Sequence, residues 1–240
     1  MKFIEKQWVD STLKGNLFFN IAKYYIELEK INGKGIGDSK EGSFSKYINP
    51  KNEQMYISLD EKKWHEIPFE KACSHTRMEH LDNTPMCCFV FLSHKKDFVY
   101  DGEMYVLKEN VADELLEEFG NHEVFIVAKP KEFFNKIHSY ANDNGFKSFE
   151  GVVQYYDPMK EDFPMTLSEY RIKPLKAFLY KRTEFKNQRE VRVVFNTSWG
   201  KGRTIYLGNL EGHLSKLSKE ELIGMNSEKE VIEDFIKSYS

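Results

Sequence analysis

Two polar side chains, Gln188 and Glu190, stand two residues apart, and Arg192 follows at the same interval. Read as a β-strand over residues 185–195, they share one face, with Val191, Val193 and Phe195 on the other, because side chains alternate along a strand. A carboxylate beside an amide suits displacement at an anomeric carbon. The carboxylate steadies positive charge on an oxocarbenium-like sugar and accepts from a ribose hydroxyl, while the amide orients the acceptor. The plainer reading is an ion pair between Glu190 and Arg192 at a strand edge, worth about 0–1 kcal/mol when exposed.

Asp38 and Glu41 form a second acidic pair, in a stretch over residues 32–42 that holds four glycines. Glycine lets backbone amides approach a phosphate or another chain closely. The stretch is neither a phosphate-binding loop ending in Gly-Lys-Ser/Thr nor a dinucleotide fingerprint, since no strand leads directly into it. As a structural turn it would have Asp38 capping and Glu41 paired with a Lys or Arg elsewhere. Cys73, His75, His80, Cys87 and Cys88 do not read as a metal set: Cys-x-His is tight for a structural site, and adjacent strand cysteines face opposite ways. No metal is expected. Cys87 and Cys88 lie in the most apolar run, where burial raises a thiol's pKa, so they read as packing residues rather than nucleophiles.

These residues need a scaffold, and 240 residues with 40% hydrophobic and 15% aromatic content can bury a large core. One globular domain over residues 1–240 is the simpler reading. Lys+Arg number 35 against 38 Asp+Glu, a formal charge of −3, so no global basic field points to nucleic acid or membrane. Three cysteines, an odd count, argue against a disulfide framework and for a reducing, cytoplasmic setting. No stretch approaches the ~20 apolar residues that span a bilayer.

The pattern predicts strands at residues 2–4 and 17–19, helical spacing over 6–13, and a helix capped by Asn20 with Ile21, Tyr24, Tyr25 and Leu28 on its apolar side. Residues 44–78 read as short strands, including 55–59 and 63–67. Residues 86–92 read as a central strand buried on both faces. Beyond these come a helix at 113–119, a strand at 122–128, a helix opened by Pro130 and ended before Gly145, and a strand at 149–156. A weak 157–174 stretch, the 185–195 strand, another at 204–207 and helices around 220–222 and 230–235 complete the chain. Without strict βαβ alternation, the expected class is α+β with a mixed, mainly antiparallel central sheet flanked by helices.

Taken in order, Lys2-Phe3, Gly15-Asn16-Leu17-Phe18-Phe19, residues 38–41, Cys88-Phe89 and residues 185–192 resemble a large family of poorly characterised bacterial and phage proteins. Its members often sit near abortive-infection and phage-defence genes. The layout is also similar to that of ADP-ribosyltransferases, whose late strand carries the catalytic glutamate as Gln-x-Glu or Glu-x-Glu. That resemblance implies an ADP-ribosyltransferase-like fold, with Glu190 as catalytic carboxylate and Gln188 as the acceptor-orienting amide. It implies NAD as co-substrate, with Lys2, Tyr24, Tyr25, Asp38, Glu41 and Arg192 around it. The chain departs from the pattern in having no Arg or His in the first strand and no Ser-Thr-Ser in the second. The implied function is transfer of ADP-ribose to a protein or nucleic-acid target in a phage or bacterial conflict system, as a toxin would do. The alternative is a non-catalytic defence or anti-defence protein that binds a partner protein or a nucleotide. A third reading, a nuclease-type toxin, would hold a metal on Asp38, Glu41 and Glu190.

Overall fold

A computed structural model describes residues 1–32 and 37–227; residues 33–36 of the glycine-rich stretch and the helix expected at 230–235 lie outside them. In chain order the elements are β1 Lys2–Ile4, α1 Val9–Leu13, β2 Asn16–Ile21, α2 Ala22–Asn32, β3 Phe44–Ile48, β4 Met55–Ile57, β5 His65–Ile67, β6 Ala72–Thr76, β7 Pro85–Val90, α3 His94–Asp97, β8 Phe98–Tyr100, β9 Tyr105–Leu107, α4 Glu109–Phe119, β10 Glu123–Val127, α5 Pro130–Asp143, β11 Ser148–Val152, β12 Gln154–Tyr156, α6 Leu167–Ile172, β13 Tyr180–Arg182, β14 Glu190–Phe195, β15 Arg203–Tyr206, β16 Leu214–Leu217, α7 Lys219–Ile223 and β17 Asn226–Ser227. The class is α+β and the sheets are mainly antiparallel. Among the described residues no helix is long and apolar enough to cross a membrane.

The largest sheet has five strands in the order β11-β14-β7-β2-β15, which makes the apolar run of β7 its centre. Register assigns the faces. Val193 sits opposite Cys87 and Phe195 opposite Ser148, while Arg192 sits between Cys88 and Gly151 and Glu190 lies opposite Val90. Val193, Phe195, Cys87 and Phe89 therefore pack with Leu17 and Phe19 under α5. That helix starts on Pro130, whose missing N–H costs nothing in a first turn, and buries Phe133, Phe134, Ile137 and Ala141 at intervals of one to four. Phe19 and Phe195 stack across the sheet with centroids 4.2 Å apart. On the other face Met86 and Val194 join Ala22, Tyr170 and Phe178 in a second cluster. A third, formed by Val90, Val111, Leu115, Val124 and Leu222, seats α4 and α7.

Several expectations change. The strand predicted over 185–195 is a strand only from Glu190. Thr183–Gln188 is a 3₁₀ turn, and Arg189 takes the left-handed conformation with φ 47 and ψ 48. The run 183–188 buries only Phe185 and Gln188, and Arg189 is held by ion pairs to Asp97 at 3.3 Å and Glu114 at 2.8 Å. Those pairs offset the ~1–3 kcal/mol that an unusual backbone conformation costs. The polar face of the strand is buried as well: Arg192 is 1% exposed and Val194 0%. Asn20 does not cap α2. Pairing carries β2 through Asn20 and Ile21 to Met86 and Pro85, so Ile21 packs in the sheet core and the helix begins at Ala22. The strand expected at 149–156 breaks at buried Val153, whose N–H donates to the Glu190 carbonyl at 2.9 Å. β11 then stays in the large sheet while β12 leaves it for β13. Strands β8, β9, β13, β16 and β17 have no counterpart in the periodicity reading.

Phe195 closes a stack between layers, and truncating it leaves a hole that neighbours in a β-sheet cannot collapse into. Phe195→Ala is expected to lower unfolding stability by about 3–5 kcal/mol in urea denaturation; a loss below about 1 kcal/mol would contradict this packing.

Candidate ligand cavity at Glu190

β14 carries Glu190 and Arg192 onto the same face, and five other segments meet them there. The turn over residues 38–41 brings Glu41, whose carboxylate takes both terminal guanidinium nitrogens of Arg192, Nη2 at 3.0 Å. Strand β13 brings Lys181, whose Nζ donates to Gln188 Oε1 at 2.6 Å and to Glu190 Oε1 at 2.8 Å. Arg192 Nε donates to the other Glu190 oxygen, and its Nη1 also donates to the Phe178 carbonyl at 2.7 Å. The 3₁₀ turn brings Gln188, whose Nε2 donates to Glu118 Oε1 on α4 at 2.6 Å. Finally, the Glu190 N–H donates to the Tyr155 hydroxyl at 2.9 Å.

Lys181 and Arg192 are 1% exposed, Glu41 and Gln188 2%, and Glu190 7%. At that depth an unpaired charge costs several kcal/mol, and two cations against two carboxylates make the set neutral within itself. Burial works to raise the Glu190 carboxyl, but Arg192 and Lys181 outweigh it and hold it at about 2, so Glu190 is an ionised carboxylate. For Glu41 burial raises the carboxyl, against the opposing charges of Arg192 and Lys181. Burial also drives the Cys88 thiol up to about 12 and raises Cys87, which keeps both protonated.

These groups line a cavity of about 120 Å³. Lys2, Tyr25, Glu41, Gln188, Glu190 and Arg192, all expected near a site, are among its lining residues. Lys2 Nζ donates to the Cys88 carbonyl at 2.8 Å and reaches within 3.5 Å of Cys87 Sγ. Phe3 and Phe119, stacked with centroids 4.6 Å apart, give the cavity an aromatic side. His122 also lines it, and its buried Nδ1 has no hydrogen-bond partner among the described residues.

Two expected residues are elsewhere. Asp38 is buried, but its carboxylate accepts from Arg182 Nη2 at 2.7 Å and from the Lys40 N–H at 2.9 Å. Arg182 Nη2 also holds Glu29 at 2.7 Å. Asp38 thus braces the turn that presents Glu41 and does not meet Glu190. Tyr24 is 47% exposed because α2 buries Ala22 and Ile26 instead, and only Tyr25 of the two tyrosines lines the cavity. Among the described residues no group of three or more His, Cys, Asp or Glu is arranged to hold a metal ion.

Lys181, Tyr155, Glu118 and His122 belong to the site and carry no motif. A comparison of the chain with protein-family models, with curated proteins and with solved structures gives no match.

The depressed Glu190 carboxyl makes a signed prediction. Its folded pKa near 2 lies below the unfolded value, so between about 4.5 and 2 the unfolded chain binds more protons and stability falls as pH falls. Urea titrations from pH 5 to pH 2 should show this loss in the wild type and a shallower slope in Glu190→Gln; equal slopes would remove Glu190 from the account.

Proposed function

We propose that the chain is a binding protein that holds one ring-sized polar group, such as the base or pentose end of a nucleotide, in the Glu190 cavity. The observation that carries this is the convergence of Lys2, Tyr25, Glu41, Gln188, Glu190 and Arg192 on one space of about 120 Å³. A cavity of about 150 Å³ accommodates benzene, so this one suits a single ring and not a whole dinucleotide. The aromatic side formed by Phe3 and Phe119 suits a ring face. Opposite chemistry comes from Glu190, which as a carboxylate is acceptor-only and keeps a lone-pair site on each oxygen after Lys181 and Arg192 have taken one each. A ring with amino or hydroxyl hydrogens matches that edge. In a defence or anti-defence setting, such a pocket would sense or sequester a nucleotide, and a partner protein would read the occupied state.

ADP-ribosyl transfer from NAD is the second reading, and the ionised state of Glu190 favours it, because a permanent carboxylate is what stabilises an oxocarbenium-like sugar. It ranks second on geometry. Gln188 is held at its oxygen by Lys181 and at its amide nitrogen by Glu118, so turning it toward an acceptor would break both contacts. Transfer would require Lys181 to release Gln188 as a target hydroxyl or amine arrives. A toxin with metal on Asp38, Glu41 and Glu190 has no support, since Asp38 lies on Arg182.

Thermal-shift titration with adenosine, nicotinamide and NAD, run beside an NAD-consumption assay, separates the readings. Binding predicts that at least one probe raises the melting temperature of the wild type, that Glu190→Gln loses the shift, and that NAD is not consumed. NAD loss that Glu190→Gln abolishes would transfer the case to the ADP-ribosyltransferase reading. No shift with any probe and no NAD loss would defeat both.

A further inference from the structure

On the opposite face of the five-stranded sheet, three side chains form an arrangement that the cavity does not use. His138 of α5 places Nδ1 2.6 Å from Ser148 Oγ and Nε2 2.8 Å from Glu150 Oε2. Ser148 and Glu150 are two residues apart on β11, opposite Phe195 and Val193, and so project to the α5 side. Glu190 and Arg192 project the other way. The chain returns from α5 to β11 through Asn144 and Gly145, the latter at φ +79, which brings residues only ten apart in sequence face to face.

Hydrogen-bond chemistry orders the three groups. A carboxylate only accepts, so the proton between Glu150 and His138 sits on Nε2. The neutral ring then has Nδ1 as its acceptor, and the Ser148 hydroxyl donates to it. A hydroxyl donating to an imidazole that is itself oriented by a carboxylate is the arrangement that activates a serine nucleophile. The histidine and glutamate side chains are 29% and 24% exposed, which leaves the group open to a reagent from solvent.

We propose that Ser148 is a nucleophilic serine that accepts an acyl group from a small ester, with His138 as general base and Glu150 as a positioning residue. In the forward step Ser148 Oγ bonds to the carbonyl carbon as its proton passes to His138 Nδ1. The bond from that carbon to the leaving oxygen breaks, and the alcohol departs with the proton. Water, deprotonated by the same nitrogen, then attacks the acyl-serine, releasing the carboxylic acid and restoring the hydroxyl.

The test treats the full chain with a fluorophosphonate probe and with p-nitrophenyl acetate, followed by intact-mass measurement and peptide mapping. A single adduct on Ser148 is expected, absent in Ser148→Ala. His138→Gln should slow labelling by about 100-fold, the usual lower range for a general base. Glu150→Gln keeps an oxygen that accepts from Nε2–H and should retain more of the rate than Glu150→Ala, a difference that a merely structural role for Glu150 would not produce. No adduct on the wild type, an adduct undiminished in Ser148→Ala, or an unchanged rate in His138→Gln overturns the proposal.

Discussion

Arg192 is the constraint around which the rest of the structure is arranged. A guanidinium cannot shed its proton, so an arginine at 1% exposure in the middle strand layer has to be met by charge and by acceptors. Glu41, Glu190 and the Phe178 carbonyl meet it. Each comes from a different part of the chain, so satisfying one side chain ties the 38–41 turn, the 174–179 segment and β14 together. Lys181 then enters because Glu190 would otherwise leave the set with one carboxylate more than its cations. Local sterics follow from the same packing: Gly42, at φ +65, has the Phe178 ring where a Cβ would stand, 2.6 Å away. Gly151 is similarly confined, with Leu179 2.7 Å from its missing Cβ, directly opposite Arg192 in register.

A second network keeps the first in place. Arg182, the neighbour of Lys181 on β13, points to the other side of that strand, where it gathers Glu29, Asp38 and Glu184. Alternation along a strand makes the division: Lys181 serves the cavity and Arg182 serves its brace. Glu29 connects α2 to this brace, and α2 also contributes Tyr25 to the cavity wall. The acidic pair Asp38 and Glu41 is thereby split between the two networks, one carboxylate on each arginine.

How much of this could be read from the chain varies by the kind of signal. β7 was legible because a run apolar on every position has few alternatives to a strand buried on both faces, and α5 because Pro130 and the spacing of Phe133, Phe134, Ile137 and Ala141 agree. The expectation that Glu41, Gln188, Glu190 and Arg192 share a site came from two short polar motifs and a family layout, which also named Asp38 and so did not resolve which carboxylate of the pair faces the cavity. Their geometry was not legible. Gln188 reaches the cavity from a 3₁₀ turn ended by a left-handed arginine, and nothing in local periodicity distinguishes that from two more residues of strand. Asn20 looked like a cap because helix propensity begins there, but pairing with β7 claims it first. Lys181 and His122 were silent because a single lysine or histidine has no spacing to detect; only tertiary contacts give them roles.

The turn that upset the strand assignment is also what gives the cavity its rigidity. Glu114 and Glu118 lie four residues apart and so on one side of α4. Glu114 holds the guanidinium of Arg189 at 2.8 Å, and Glu118 holds the amide of Gln188 at 2.6 Å. Two successive residues of the turn are thus gripped by one helix face, while the Arg189 carbonyl accepts from the Phe91 N–H at 2.7 Å, fastening the turn to the end of β7. A left-handed arginine persists only when its surroundings over-determine it, and here they do from three directions. An amide fixed in this way is preorganised, which lowers the cost of binding a ligand that fits and raises the cost of any movement that chemistry would demand. Rigid fixation of Gln188 is therefore a physical reason to rank recognition above transfer at Glu190, and α4 is the element whose displacement would reverse that order.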